Sequence, residues 1–176
     1  MGYGVVARVF HWLTVLLVLI MIPVGVIMIQ DVPRNIQDPL FILHKSLGPF
    51  VLLVVALRLA WRAFNPPPPL PATMPVPQRL AAETVHWGLY ALLLTMGISG
   101  YVRVTTGGFP IDSLDALGLP PLLPKNEAVA NAAKAVHAVC ALGLILLILM
   151  HVAAASYHGL VRKDGVFSRM WPPFSS

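Results

Sequence analysis

Charged residues are scarce in this sequence. They make up 11% of its 176 residues, whereas an ordinary soluble domain carries about 25%. Hydrophobic residues make up 57%, and the mean hydropathy is +0.79. This composition excludes an ordinary soluble protein, and the length suits one domain. The net charge of +5 comes from residues that flank apolar segments. Because they form no basic face, nucleic acid is not an expected partner.

Cysteine and low-complexity sequence are also nearly absent. The single cysteine, Cys140, lies in an apolar stretch, where packing is its expected role. The one biased segment is the proline run 66–69, which Pro71, Pro75 and Pro77 follow. Proline lacks the N–H that a helix needs, so the run predicts an extended polyproline strap that returns the chain to the membrane. A ligand for a proline-binding domain is the alternative.

Four long apolar stretches dominate what remains, at about residues 7–29, 40–63, 80–104 and 132–160. Each reaches the roughly 20 residues that a membrane span needs. Backbone polar groups must be satisfied internally in lipid, so the stretches should be helices. The first is too long for a signal peptide and shows no small-residue cleavage site, so we expect a retained helix. The predicted fold is therefore an all-α integral membrane bundle of four helices, with residues 1–176 forming one membrane domain.

The positions of Lys and Arg predict the topology. Seven lie on the side of the termini and five on the other side, and this bias places both termini in the cytoplasm. The seven are Arg8, Arg58, Arg62, Arg79, Arg162, Lys163 and Arg169. The five are Arg34, Lys45, Arg103, Lys125 and Lys134.

The chemistry is expected at the histidines, because ionisable residues inside a membrane are costly and usually functional. The alternative for any one of them is a hydrogen bond between helices. The six are His11, His44, His86, His137, His151 and His158.

Spacing indicates what these histidines bind. His137 and His151 are fourteen residues apart, which is about 21 Å of helix and nearly four whole turns. Two rings on one face, one near each membrane surface, are typical of two stacked haems that share a helix. Zinc would need ligands within about one turn. The same interval separates His11 from Gly25 and His86 from Gly100, where glycine would let a porphyrin approach.

The topology assigns a depth to each ring. His44 and His137 lie at the outer level and must pair there if a six-coordinate haem exists. His11, His86 and His151 lie at the inner level, so geometry alone leaves the inner pair open.

Several motifs resemble the bacterial cytochrome b561 family, over essentially the whole chain. They are Arg8-Val-Phe-His11-Trp12, His44-Lys45-Ser46-Leu47-Gly48 with Arg58-Leu59 and Trp61-Arg62, Leu70-Pro71-Ala72 after the prolines, and Tyr157-His158-Gly159-Leu160-Val161-Arg162-Lys163-Asp164-Gly165. The family shares its haem scaffold with the cytochrome b subunits of nickel hydrogenases and formate dehydrogenase. The sequence looks most like the small stand-alone type described as a superoxide oxidase.

The resemblance implies two haem b groups in the bacterial inner membrane, with His44 paired to His137 and His11 paired to His151. His86 then is not a ligand, although it remains the alternative inner ligand. The sequence has no Cys-x-x-Cys-His, so the haem is not covalently attached.

Other polar residues receive weaker assignments. His158, seven residues after His151, is expected to hydrogen-bond a quinone carbonyl and pass protons, or otherwise to contact lipid headgroups. Arg58 and Arg62 are expected to be haem propionate partners or topology anchors. Lys45, Arg103 and Lys134 are expected to attract an anion such as superoxide, to pair with propionates, or to snorkel to the interface.

Two functions follow from this interpretation. The first is an enzyme that oxidises superoxide at the periplasmic face and reduces ubiquinone at the inner haem. The second is an electron-transfer subunit that links a periplasmic dehydrogenase or hydrogenase to the quinone pool. Short outer loops favour the first, because a stable protein partner needs about 800 Å² on each side. A transporter is disfavoured, since no broken helix points at a midplane site.

Overall fold

The computed structural model describes residues 2–71 and 74–171, and these residues form helices and turns without any strand. Ala72, which belongs to the strap motif, lies outside the described residues, as do the ends of the predicted domain at Met1 and at 172–176.

Four long helices form the bundle. They are α1 (Val5–Ile27), α2 (Arg34–Phe64), α3 (Val76–Thr106) and α5 (Glu127–Ser156), with the one-turn helix α4 (Asp112–Asp115) before α5. All four long helices are apolar and long enough to cross a membrane, and the last span extends to Arg162. The fold predicted from the sequence, an all-helical bundle of four spans, is confirmed, and the protein is a multi-pass membrane protein.

Three of the four long helices, α2, α3 and α5, are longer than the apolar stretches that predicted them, whereas α1 has the predicted length. α2 begins at Arg34 and α5 begins at Glu127, each several residues before its apolar stretch. The additional turns are largely polar, and side-chain capping can fix where such a helix begins. Asn126, for example, caps α5 by accepting a hydrogen bond from the Val129 N–H at 3.1 Å.

The two ends of the described chain, near Gly2 and Trp171, and the prolines at 66–69 lie at one end of the bundle, which we call the terminus side. Arg169 Nη1 donates to the Pro69 carbonyl at 2.8 Å, and the Tyr3 N–H donates to the Arg169 carbonyl at 3.1 Å. Trp12 Nε1 also donates to the Met170 carbonyl at 2.9 Å. These bonds tie the C-terminal segment over the start of α1.

The connections α1–α2 and α3–α5 lie at the other end, which we call the loop side. The α3–α5 connection folds back over the bundle. Ser113 Oγ donates to the Ser46 carbonyl at 2.8 Å, and the Leu122 N–H donates to Tyr101 Oη at 3.0 Å.

A compact apolar layer occupies the middle of the bundle. Its buried residues are Val51, Val55, Tyr90, Leu93 and Leu144, with Val18 packed against them. Val18, Val51, Leu93 and Leu144 each lie seven residues after a histidine. Seven residues are about two helical turns, so this layer separates the histidines of the two ends.

Candidate functional site

The structure gathers five histidines into two groups at opposite ends of the bundle. His44 of α2 and His137 of α5 face each other on the loop side, with ring centroids 6.2 Å apart. On the terminus side, His151 lies beside both His11 and His86, with centroid separations of 6.2 Å and 5.4 Å. These are the two levels that the fourteen-residue interval predicts.

The centroid separations test whether a haem iron fits. Metal–imidazole bonds of about 2 Å on each side of one iron, plus the radius of each ring, place two axial imidazoles about 6 to 6.5 Å apart between centroids. The pairs His44–His137 and His11–His151 both meet this requirement at 6.2 Å. Their ring planes are inclined at 77° and 69°. The spacing of each pair would therefore suit a bis-histidine haem iron.

The third terminus-side ring differs from this pattern. His86 and His151 are 5.4 Å apart between centroids, closer than either matched pair. His86 also makes a hydrogen bond with the backbone of Ala82, one turn earlier in α3. The separation fits a neighbouring ring better than a second axial ligand.

Glycines lie against both loop-side rings. A Cβ on Gly25 would come within 3.0 Å of His44 Cε1, and a Cβ on Gly100 would come within 3.2 Å of His137 Cε1. Both distances are tighter than ordinary van der Waals contact. These glycines therefore allow the two imidazoles to lie directly against α1 and α3, whereas the sequence predicted only that they would admit a porphyrin. Gly48 has open space around it.

Hydrogen bonds orient the His137 ring. Its Nδ1 lies 3.1 Å from the Met96 carbonyl and 3.2 Å from Ser99 Oγ. A carbonyl only accepts hydrogen bonds, so Nδ1 carries the hydrogen and donates it to Met96. Nε2 is then the nitrogen left with a lone pair. This is the arrangement that a metal-binding histidine usually has.

His11 shows the opposite arrangement. Arg58 Nη2 donates a hydrogen bond to His11 Nδ1 at 2.9 Å. The proton of a neutral His11 ring is then on Nε2. For Nε2 to bind iron, the proton must move to Nδ1 and Arg58 must release that atom. Sequence reasoning missed this contact, because no spacing rule places an arginine of α2 on a ring of α1.

The two basic residues predicted as propionate partners lie at the terminus-side group. The Arg58 guanidinium is 5.3 Å from the Tyr90 ring centroid, and that of Arg62 is 5.1 Å from the Trp87 centroid and 5.5 Å from the Tyr90 centroid. Arg58 is close enough to interact electrostatically with His11, His86 and His151. The aromatic rings hold both guanidinium groups beside these histidines.

The loop-side basic residues differ in how far their charges are already engaged by other groups of the protein. Lys45 Nζ donates to the Pro110 carbonyl at 2.9 Å and lies 3.8 Å from Asp112, with its side chain 18% exposed. Arg103 interacts electrostatically with both His44 and His137. Lys134 is exposed on α5. Of the three residues predicted to attract an anion, Lys45 is thus already bound to the loop, whereas Arg103 acts electrostatically on the histidine pair.

His158 stands apart from the terminus-side group. It lies in a π-helical turn (Tyr157–Arg162) that continues α5. Its Nδ1 is 2.6 Å from Asp164 Oδ2. Asp164 was quoted in the sequence motif, but sequence reasoning gave it no role.

Comparisons with known proteins show what the whole chain is similar to. The model of a family described as prokaryotic cytochrome b561 matches residues 2–173. The chain is 36% identical over 179 residues to "Cytochrome b561 homolog 2" of Escherichia coli (strain K12), covering 99% of this chain and 93% of that protein. It is 31% identical over 165 residues to "Probable superoxide oxidase CybB" of Yersinia pestis, covering 92% of this chain and 91% of that protein.

Proposed function

This chain belongs to the prokaryotic cytochrome b561 family, whose members bind b-type haem and transfer electrons in the membrane, and we propose that it carries electrons from superoxide to ubiquinone. The loop side then faces the periplasm and the terminus side faces the cytoplasm of a bacterial inner membrane. The bias of Lys and Arg towards the terminus side supports this orientation. The balanced reaction is two superoxide anions plus one ubiquinone and two protons, giving two molecules of oxygen and one ubiquinol.

The observation that carries the proposal is the equal separation of two histidine pairs at opposite ends of the bundle, 6.2 Å in each case. His44 with His137 would hold one haem b, and His11 with His151 would hold the other. When bound, the two groups supply one-electron chemistry at two depths in the membrane.

On the loop side, the chain offers positive charge to an arriving anion. Arg103 interacts electrostatically with both histidines of the pair, and Lys134 is exposed on the neighbouring helix. Positive charge on a protein surface raises the rate of encounter with an anion. Lys45 contributes less, because Asp112 and the Pro110 carbonyl already engage it. A relative named as a probable superoxide oxidase supports the choice of anion.

On the terminus side, the chain offers a hydrogen-bonding group to a quinone. His158 lies two turns beyond His151, so it reaches the membrane surface on the same side as the second pair. Its imidazole can donate a hydrogen bond to a quinone carbonyl and exchange protons with the cytoplasm. Arg58 and Arg62 would bind the propionates of the haem on this side, for which their guanidinium groups are suited.

A second function is supported by the surface of the α3–α5 connection. Phe109, Leu117 and Leu122 are exposed there, with 65%, 65% and 81% of their surface accessible. Exposed apolar residues of this kind can form a contact with another protein. They favour the alternative in which the loop side binds a periplasmic dehydrogenase or hydrogenase and passes its electrons to the quinone pool.

One experiment separates the two functions. Superoxide generated outside proteoliposomes that contain only this protein should reduce the haem, as its absorption spectrum will show, and added ubiquinone should reoxidise it. If superoxide leaves the spectrum oxidised, while a dehydrogenase that co-purifies from native membranes reduces it quickly, the protein is the electron-transfer subunit.

A further inference from the structure

The chain reverses direction just beyond the last span. The π-helical turn (Tyr157–Arg162) ends at Lys163, whose φ of 49° and ψ of 37° are left-handed. Lys163 is the one non-glycine residue with positive φ in the described part of the chain, and residues with a Cβ avoid that region. The Lys163 N–H donates to the His158 carbonyl at 2.8 Å, which closes the reversal. The reversal brings Asp164 back against His158.

The carboxylate of Asp164 is held in place from several directions. Oδ2 accepts a hydrogen bond from His158 Nδ1 at 2.6 Å, and Oδ1 accepts one from the Val166 N–H at 3.2 Å. Arg162 Nε lies 3.8 Å from Oδ2. Phe167 packs on the same turn, where a Cβ on Gly159 would come within 3.0 Å of its ring. The carboxylate therefore has little freedom to leave the imidazole.

This hydrogen bond determines which ring nitrogen of His158 is available. An ionised carboxylate only accepts hydrogen bonds, so the hydrogen lies on Nδ1 of His158. Nε2 is the nitrogen that remains for a ligand. Desolvation raises the pKa of Asp164, but the hydrogen bonds from His158 and Val166, together with the nearby charge of Arg162, outweigh it, so the pKa lies below its ordinary value. Asp164 is therefore ionised at physiological pH.

Asp164 also borders a polar cavity on the terminus side. The cavity measures about 320 Å³ and is lined by Gly2, Arg8, Asp164, Gly165, Ser168 and Arg169. A polar space of that size can hold several water molecules. The pair of His158 and Asp164 thus lies between the last membrane span and this polar cavity.

We propose that Asp164 is a positioning residue, which holds His158 with Nε2 directed to a quinone carbonyl. This inference rests on the proposed quinone site at His158. Reduction of a quinone to a quinol takes up two electrons, which the electron transfer of the family supplies, and two protons. After Nε2 takes up a proton from water on the cytoplasmic side, it gives that proton to a carbonyl oxygen of the quinone. Throughout, Nδ1 keeps its hydrogen and donates it to Asp164. Water on the cytoplasmic side then returns a proton to Nε2 before the next transfer.

The proposal is tested with two variants of Asp164 and one matched control. Asp164→Ala removes both the acceptor and the charge, whereas Asp164→Asn keeps an acceptor oxygen and removes the charge. Glu83→Gln neutralises an exposed acidic residue near the terminus-side end of α3 and serves as the control. Loss of the hydrogen-bond partner that orients a metal-bound histidine typically costs 10- to 100-fold. We therefore expect quinone-linked reoxidation to slow about 10-fold or more in Asp164→Ala and less in Asp164→Asn.

Two readouts distinguish positioning from a merely structural role. The haem content and the extent of chemical reduction should be unchanged in all three variants. The ¹⁵N spectrum of His158 in the fully reduced, diamagnetic protein should show the Nδ1–H tautomer in the parent and a mixture of tautomers in Asp164→Ala. The pH profile of the rate of quinone reduction should differ between the parent and Asp164→Ala. The other charged and titratable groups near this pair are Tyr157 and Arg162, with Arg8 and Arg169 lining the same cavity as Asp164.

The outcomes distinguish a failure of the positioning role of Asp164 from a failure of the proposed quinone site at His158. If His158→Ala slows quinone reduction and neither Asp164 variant does, Asp164 has no positioning role, although the quinone site stands. If His158→Ala also leaves quinone reduction unchanged, the quinone site at His158 is wrong and the positioning role falls with it. An unchanged His158 tautomer in Asp164→Ala overturns the proposal even where the rate falls.

Discussion

Gly100 of α3 lies directly against the imidazole of His137 of α5, where an added Cβ would stand 3.2 Å from Cε1 and 3.4 Å from Nδ1. Gly25 of α1 has the same relationship to His44 of α2, at 3.0 Å and 3.4 Å from the corresponding atoms. The loop-side pair is thus enclosed by a glycine on each side. Each ring is held between two helices with no space to tilt towards its glycine.

We predict that a methyl group at either glycine disturbs the loop-side haem. In Gly25→Ala and Gly100→Ala, the added carbon forces the adjacent imidazole to rotate or shift, so haem occupancy at that level should fall or its absorption band should broaden. Gly143→Ala is the control, because its Cβ would make ordinary contact at 3.5 Å with Leu92. Low-temperature reduced spectra, which resolve the two haems, give the measurement. Three identical spectra would contradict the prediction.

We predict two haems for each chain. Two histidine pairs at the same 6.2 Å separation should each hold a low-spin, six-coordinate iron. The haem concentration from the pyridine haemochrome assay, divided by the protein concentration from amino-acid analysis, should give a ratio near two. The reduced protein should show narrow b-type bands. A ratio near one, or a high-spin spectrum, would refute the assignment.

Single histidine variants should remove the haems one at a time. His44→Ala or His137→Ala should abolish the loop-side haem alone, and His11→Ala or His151→Ala should abolish the terminus-side haem alone. His86→Ala should keep both, because its ring lies only 5.4 Å from His151 between centroids. Haem quantification for each variant decides the pairing. If His86→Ala loses a haem while His11→Ala retains two, the ligand on the terminus side is His86.

Arg103 and Lys45 should differ in their effect on superoxide. Arg103→Gln removes a charge that acts on the loop-side histidines, whereas Lys45→Gln removes one that Asp112 already offsets. We expect Arg103→Gln to slow reduction by superoxide roughly 2- to 10-fold at low salt. Lys45→Gln should have a smaller effect. The difference should shrink as ionic strength rises, because screening acts over about 8 to 10 Å near physiological salt. Stopped-flow rates over a salt series provide the test, and equal effects of the two variants would overturn this prediction.

The main features of the fold could be predicted because they depend on helical repetition. A helix rises a fixed distance for each residue, so the interval from His137 to His151 predicts two levels without any knowledge of neighbouring helices. The ends of the helices could not be predicted in the same way. Hydropathy shows which residues lie in lipid, whereas the helix continues for as long as its backbone hydrogen bonds do, which is why α2 begins at Arg34.

The side-chain contacts that distinguish one site residue from another could not be predicted from the sequence. The bond from Arg58 to His11, the capture of Lys45 by Asp112, and the return of Asp164 to His158 each depend on the position of a side chain or on a chain reversal. The π-helical turn has no periodicity that hydropathy could reveal. The residues were visible in the sequence, but their partners became clear only from the packing of the bundle.

The apolar layer around Val55, which is 1% exposed, has a consequence for the energetics of the membrane. Because it separates the two histidine levels, an electron that passes between them moves charge through the low-dielectric part of the bilayer with no accompanying proton. The levels are about 21 Å apart along the helix in a hydrocarbon core of roughly 30 Å, so each inward electron works against about 1.6 kcal/mol for every 100 mV of inside-negative potential. Turnover in energised vesicles would therefore be slowed by membrane voltage and would accelerate when an ionophore collapses it.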